Sequence, residues 1–186
     1  MKRLIDILFG LTGFISLIPV YILIAILIKF DSKGPIIFWS KRIGKNNKLY
    51  KMPKFRTMYQ DTPQVASHLL KDSEQYISKF GKFLRKYSLD ELPQIYSILM
   101  GDMSIIGPRP ALFNQSDLIK LRIKYKIDKL KPGLTGWAQV NGRDTLSIKE
   151  KVALETFYLE NRTLLIDMKI IYLTIKKVFQ AKDITH

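Results

Sequence analysis

The stretch Ile7–Ile28, ILFGLTGFISLIPVYILIAILI, is an unbroken run of uncharged, mostly apolar residues with Pro19 inside it. About 20 apolar residues reach across the hydrocarbon core of a bilayer, so the run is long enough to enter one. A cleavable signal peptide needs small residues after its apolar core. This run ends instead in Leu27-Ile28-Lys29-Phe30-Asp31, which argues against cleavage. Two arrangements remain. A simple spanning helix can hold a proline. Alternatively, the helix bends at Pro19 and returns to the same face, because proline removes a backbone hydrogen bond and its ring clashes with a preceding carbonyl. Charge placement favours the bend. Lys2 and Arg3 precede the run, and Lys29, Lys33, Lys41 and Arg42 follow it. A spanning helix would leave one basic cluster outside, against the positive-inside tendency, whereas a re-entrant helix keeps both inside.

Beyond this segment the chain has enough hydrophobic residues, 47% of the total of 186, for one globular domain. The expected division is a membrane-inserted helix over 1–30 and a globular domain over 31–186, with no further domain. The formal net charge is +15, and little of it comes from the N-terminal segment, where Lys2 and Arg3 face Asp6. Such a body suits a polyanionic partner: lipid headgroups, a phosphorylated substrate or nucleic acid. There is no cysteine, which excludes disulfides and thiolate metal sites, and only His68 and His186 are present. Catalysis must rest on carboxylates, cations or a hard metal.

The pattern predicts an α+β fold: the re-entrant membrane helix, a short β-hairpin, and several amphipathic and globular helices. Asp31-Ser32-Lys33-Gly34-Pro35 ends the membrane helix. Residues 36–43 and 48–58 read as hairpin strands around Gly44-Lys45-Asn46-Asn47. Asp72-Ser73 begins a helix to about Tyr87, with apolar residues at the 3.6 period, and a shorter one runs from Asp90 to Met100. Residues 121–128 fit a strand and a helix equally. Ser147 and Glu150 have capping-box spacing for a helix to Leu159. The last helix, from Leu164 to Phe179, carries a stripe of Leu164, Leu165, Met168, Ile171, Tyr172, Ile175 and Val178 that reads as core rather than membrane-facing.

Three constellations carry chemistry. Asp90 and Glu91 are adjacent carboxylates in a cationic chain, just after Lys82, Arg85 and Lys86. By spacing they read first as helix-capping residues, since Ser88 and Glu91 also match a capping box and Pro93 suits an early helical turn. The functional reading makes one a nucleophile or metal ligand and the other its partner, with distinct roles because neighbouring helical residues point in different directions. Gly107-Pro108-Arg109-Pro110 confines a guanidinium suited to bidentate phosphate binding, or is merely a rigid turn. Lys54-Phe55-Arg56 puts two cations on one face of a strand, a pattern that more often marks a solvated surface. Lys131-Pro132-Gly133-Leu134-Thr135-Gly136 is a turn whose amides could meet an anion, and Asn141-Gly142-Arg143 is a second turn. The usual markers of ATP hydrolysis, dinucleotide binding and serine esterases are missing.

Taken in order, Lys54-Phe55-Arg56-Thr57-Met58, Ser88 to Gln94, Gly101 to Pro110, Lys131 to Gly136 and Gln139-Val140-Asn141-Gly142-Arg143 resemble the bacterial sugar transferases called monotopic phosphoglycosyl transferases, from about Lys2 to the C-terminal helix. The resemblance implies an enzyme on the cytoplasmic face of a bacterial inner membrane. It implies transfer of a sugar 1-phosphate from a nucleotide diphosphate sugar, usually a UDP-sugar, to polyprenol phosphate, with release of UMP. On this basis Asp90 is the nucleophile and a Mg²⁺ ligand, and Glu91 supports the site. Arg109 binds phosphate, Arg85 lies near the dyad, and Lys54, Arg56 and Arg143 are further phosphate-binding candidates. Membrane lipids are expected contacts and nucleic acid is not. The chain departs from the family pattern by having Ile18-Pro19 where a Ser-Pro pair is common, with Ser16 as the nearest hydroxyl. Phosphoryl transfer between anions needs charge neutralisation and in-line positioning, which fixed cations supply.

The competing class is a non-enzymatic tether whose basic body binds nucleic acid or acidic lipid. It gives Asp90, Glu91 and the confined Arg109 nothing to do, and no nucleic-acid motif is present. A multi-span phosphotransferase lacks its expected aspartate-rich motif here.

Overall fold

The computed structural model describes residues 2–60, 62, 73–142 and 145–180. The apolar stretch forms two helices, α1 (Lys2–Ser16) and α2 (Ile18–Asp31), whose axes bend by 58°. The break falls at Leu17 (φ −93°, ψ 0°), and Pro19 sits in the first turn of α2. There its fixed φ suits a helix start, and its missing N–H would have had no intrahelical partner. The bend therefore matches the expectation, with proline opening the second helix rather than kinking a single one. Ser16 Oγ donates to Gly13 O within α1 (3.2 Å) and bonds nothing across the break. Among the described residues no single helix is long and apolar enough to cross a membrane, and only the bent pair passes together.

Both outer ends of this pair rest on the rest of the chain. At the start of α1, Lys2 Nζ donates to Tyr158 Oη (2.6 Å) and pairs with Asp167 Oδ2 (3.3 Å). Arg3 donates to the carbonyls of Ile98 and Leu99. At the end of α2, Asp31 Oδ1 accepts from Phe80 N (3.3 Å), and Ile24 and Ile28 pack with Phe55 and Leu84. Leu4, Leu8, Phe9, Ile15, Ile22, Leu23 and Ile26 face outward.

The hairpin is present as expected: β1 (Ile37–Ile43) pairs antiparallel with β2 (Leu49–Phe55), with Ile37 opposite Phe55 and Ile43 opposite Leu49. Facing residues share a side of the ladder and successive ones alternate. Lys54, Met52 and Tyr50 therefore line one face with Phe38, Ser40 and Arg42.

The expected helix from Asp72 to Tyr87 is broken. A short 3-10 turn (Ser73–Tyr76) leads to a bridge between Ile77 and Met58, and α3 (Lys79–Lys86) starts only after Ser78, whose Oγ accepts from Gly81 N. Asp72 itself lies outside the described residues. The break follows from pairing: Ser78 N donates to Thr57 O, and a Cβ on Gly81 would meet that carbonyl at 2.2 Å. Next come a 3-10 turn (Leu89–Gln94) and α4 (Ile95–Met100).

Beyond α4, β3 (Ser104–Ile106) runs parallel to β5 (Gly133–Thr135), and β4 (Ala111–Leu112) joins the free edge of β1. The β5 strand overturns the anion-binding turn expected at 131–136. Gly133 N donates to Pro108 O (2.9 Å) and Ser104 N to Pro132 O (2.8 Å), so this turn is occupied with backbone pairing. The undecided stretch 121–128 is helical, with α5 (Ser116–Lys124) followed by a 3-10 turn (Ile127–Lys129).

After α6 (Trp137–Val140), α7 (Ile148–Glu160) opens with the expected capping box of Ser147 and Glu150. In α8 (Leu164–Gln180) the core contact is made by Ile170 with Ile166, Leu173 and Ile171, the last of which belongs to the stripe read as core. The stripe read as core is mostly exposed: Leu164, Leu165, Met168, Tyr172 and Ile175 all face outward, Leu165 at 82%. Both rows of this helix are apolar, so periodicity could not choose between them.

Candidate active site

Asp90 and Glu91 lie in the 3-10 turn that opens α4, and both are buried, at 4% and 8% exposure. The capping reading of Ser88 fails. Ser88 is left-handed (φ 55°), and its side chain makes no cap hydrogen bond. Adjacent residues of a 3-10 turn point about 120° apart, so the two carboxylates need a shared partner placed between them. That partner is Lys54, from the inward face of β2. Its Nζ donates to Asp90 Oδ2 (3.3 Å) and Glu91 Oε1 (2.9 Å). Lys54 is therefore an ion-paired residue rather than part of a solvated basic surface.

Arg109 closes the other side, with Nη2 3.1 Å from Glu91 Oε1. Its loop is held from beneath. A Cβ on Gly107 would meet Lys131 O at 2.2 Å and Gly133 N at 2.9 Å, so only glycine fits where this loop crosses β5. Arg85, near the end of α3, donates from Nε to Thr57 Oγ1 (2.9 Å). Burial lowers its pKa, while the charge of Asp90 beside it acts in the opposite direction.

Four sequence candidates thus converge: Lys54, Asp90, Glu91 and Arg109, with Arg85 next to Asp90. Arg56 does not join them. It is buried at the end of α2, where Nη2 donates to Ser32 O (2.6 Å) and Ser32 Oγ (2.9 Å). The strand ends at Phe55, so Lys54 and Arg56 do not form the shared basic face expected of them. Arg143 lies outside the described residues, as do His68 and His186.

Sequence reading missed Arg42. Its Nη1 donates to Pro110 O (3.1 Å) and its Nε to Ser40 Oγ (3.0 Å), bracing the Arg109 loop from β1. Burial, then the charge of Arg109, pull its pKa down to about 10, while Glu91 acts against that shift. The available signal was hairpin parity, which puts Arg42 on the face that carries Lys54.

Within the dyad, one oxygen stands apart. Asp90 Oδ1 is buried and has no hydrogen-bond partner. A buried carboxylate oxygen left unpaired costs free energy, so its retention points to a ligand or a reaction. Among the described residues no three histidine, cysteine or acidic side chains gather to enclose a metal. A hard cation held by one or two carboxylates and by substrate phosphates fits this set; an all-protein cage does not.

The sequence profile described as bacterial sugar transferase matches residues 1–181. The chain belongs to the bacterial sugar transferase family. Its relatives include the exopolysaccharide production protein ExoY of Sinorhizobium fredii, 35% identical over 95% of this chain and 84% of that protein. The uncharacterized sugar transferase EpsL of Bacillus subtilis is 38% identical over 99% of this chain and 90% of its own length. The UDP-glucose:undecaprenyl-phosphate glucose-1-phosphate transferase of Escherichia coli is 38% identical over 98% of this chain, which spans only 41% of that larger protein. This transferase is thus an enzyme of the sugar-phosphate-transferring kind.

Proposed function

We propose that the transferase moves a sugar 1-phosphate from a UDP-sugar to polyprenol phosphate through a covalent intermediate on Asp90, at the cytoplasmic face of a bacterial membrane. The observation that carries this reading is the unpaired, buried Oδ1 of Asp90, beside an oxygen fixed by Lys54. In the first step Asp90 Oδ1 bonds to the sugar-linked phosphorus, and the bond from that phosphorus to the bridging oxygen breaks. UMP leaves with that oxygen. In the second step an oxygen of polyprenol phosphate bonds to the same phosphorus, the bond to Asp90 breaks, and the carboxylate is regenerated.

The cations divide the work. Lys54 orients the dyad, and Arg109, braced by Arg42, meets a phosphate as charge builds on it. Glu91 holds both cations in register. Mg²⁺, which Asp90 would help to hold, would supply charge neutralisation on the diphosphate. The bent α1–α2 pair is read as re-entrant, since its two outer ends rest on one body. That geometry keeps the dyad where a lipid tail can present its phosphate.

The test is UMP release by purified, detergent-solubilised protein with a panel of UDP-sugars, Mg²⁺ and polyprenol phosphate. Release that requires Asp90, and a burst of about one UMP per enzyme without acceptor, are expected. EDTA should abolish it. Release that persists in Asp90→Ala would overturn the nucleophile. Binding to anionic lipid or nucleic acid with no UMP from any sugar nucleotide would favour the tether.

A further inference from the structure

A second cationic concavity lies where the start of α1 meets the start of α8. It is a cavity of about 190 Å³ lined by six cations, Lys2, Arg3, Lys45, Lys129, Lys131 and Arg162, against one carboxylate, Asp6. It shares no lining residue with the dyad cluster. Packing assembles it: the hairpin turn at Lys45 touches the 3-10 turn at Lys129, and the bridge from Lys2 to Asp167 draws α1 and α8 together.

The charges are unevenly matched. Asp6 already accepts from Ser104 Oγ and Ile105 N, both at 3.0 Å. Lys2 is paired with Asp167, Lys129 with Asp128, and Arg3 is bound to two carbonyls. Lys45, Lys131 and Arg162 have no carboxylate partner among the described residues. Cations gathered in a concavity repel one another and attract an anion.

The surroundings select the kind of anion. Leu4 and Leu8 on α1 and Leu164, Leu165 and Met168 on α8 are exposed on the two helices whose ends meet here. At about 190 Å³, the cavity has room for a phosphodiester headgroup as well as for a lone ion. Basic pockets bordered by membrane-inserted apolar helices suit anionic headgroups. We propose that this cavity binds the phosphodiester headgroup of an anionic membrane phospholipid, with Lys45, Lys131 and Arg162 as its main contacts. The proposal rests on the reading that the α1–α2 pair enters the bilayer.

The full chain in mixed phosphatidylcholine and phosphatidylglycerol nanodiscs, followed by native mass spectrometry of retained lipid, tests it. Wild type should retain phosphatidylglycerol preferentially. Substituting Lys45→Gln, Lys131→Gln and Arg162→Gln together should weaken that retention roughly a hundredfold, while unfolding midpoint and UMP release in neutral lipid stay unchanged. The charge-keeping set Lys45→Arg, Lys131→Arg and Arg162→Lys should retain it. Equal retention by the glutamine variant, or no preference in wild type, overturns the site. Displacement by glycerol 3-phosphate at concentrations matching the lipid shows a site for soluble phosphates and overturns the lipid assignment. Flotation with neutral vesicles separates the two readings. Wild type that does not float sinks membrane insertion and this site together; wild type that floats without headgroup preference sinks this site alone.

Discussion

Lys54 is the residue that ties the dyad together, because its ammonium bridges both carboxylates. Removing one partner of a buried ion pair leaves an uncompensated charge and costs about 3 kcal/mol or more. Lys54→Met should therefore lower the unfolding free energy by about 3 kcal/mol, and adding Asp90→Asn should recover part of that loss in a double-mutant cycle. Strict additivity by denaturant titration would show that the pair is not coupled. Asp90→Asn alone should leave a folded protein with UMP release reduced about a thousandfold or more. Gly107 makes a second, steric demand. Gly107→Ala forces a Cβ against Lys131 O, displaces the Arg109 loop, and should cut UMP release about a hundredfold, since misplacement by about 1 Å has such cost. Turnover near wild type would mean that Arg109 tolerates the shift.

The bent helix pair places Pro19 where it starts α2, so its loss should let the two helices merge. Pro19→Leu should shift part of the population towards a spanning form, seen as opposite-side labelling of cysteines placed at positions 2 and 33. Same-side labelling of both would show that packing of α1 and α2 on the body suffices for the bend. Elements of this kind were legible where local chemistry decides: the hairpin from its β-prone runs and Asn turn, α7 from its capping box, the bend from its proline. Tertiary partners were not legible. Ser88 has the spacing of a cap, but its backbone is left-handed and its side chain makes no cap hydrogen bond. Gly133 looked free to meet an anion until Pro108 O took its N–H. Arg42 looked like one more flanking charge until strand register put it beneath the Arg109 loop, and the outward row of α8 resembled the inward row.

The molecule as a whole joins a bent apolar helix pair to a basic body through polar ties, of which Asp6 is the most deeply buried. Asp6→Ala strands Ser104 Oγ and Ile105 N–H at a cost of about 1–3 kcal/mol each. The unfolding midpoint should fall while vesicle association, driven by the outward apolar face, is unchanged. An unshifted midpoint would mean that water replaces the carboxylate. A second tie has a different consequence. Tyr21 Oη, in the first turn of α2, donates to Leu92 O (2.9 Å), two residues from Asp90. The dyad turn is thereby tied to α2, the helix that enters the lipid on the proposed re-entrant reading. On that reading the tie sets the height of Asp90 above the acyl chains, and a long-tailed acceptor would do the travelling.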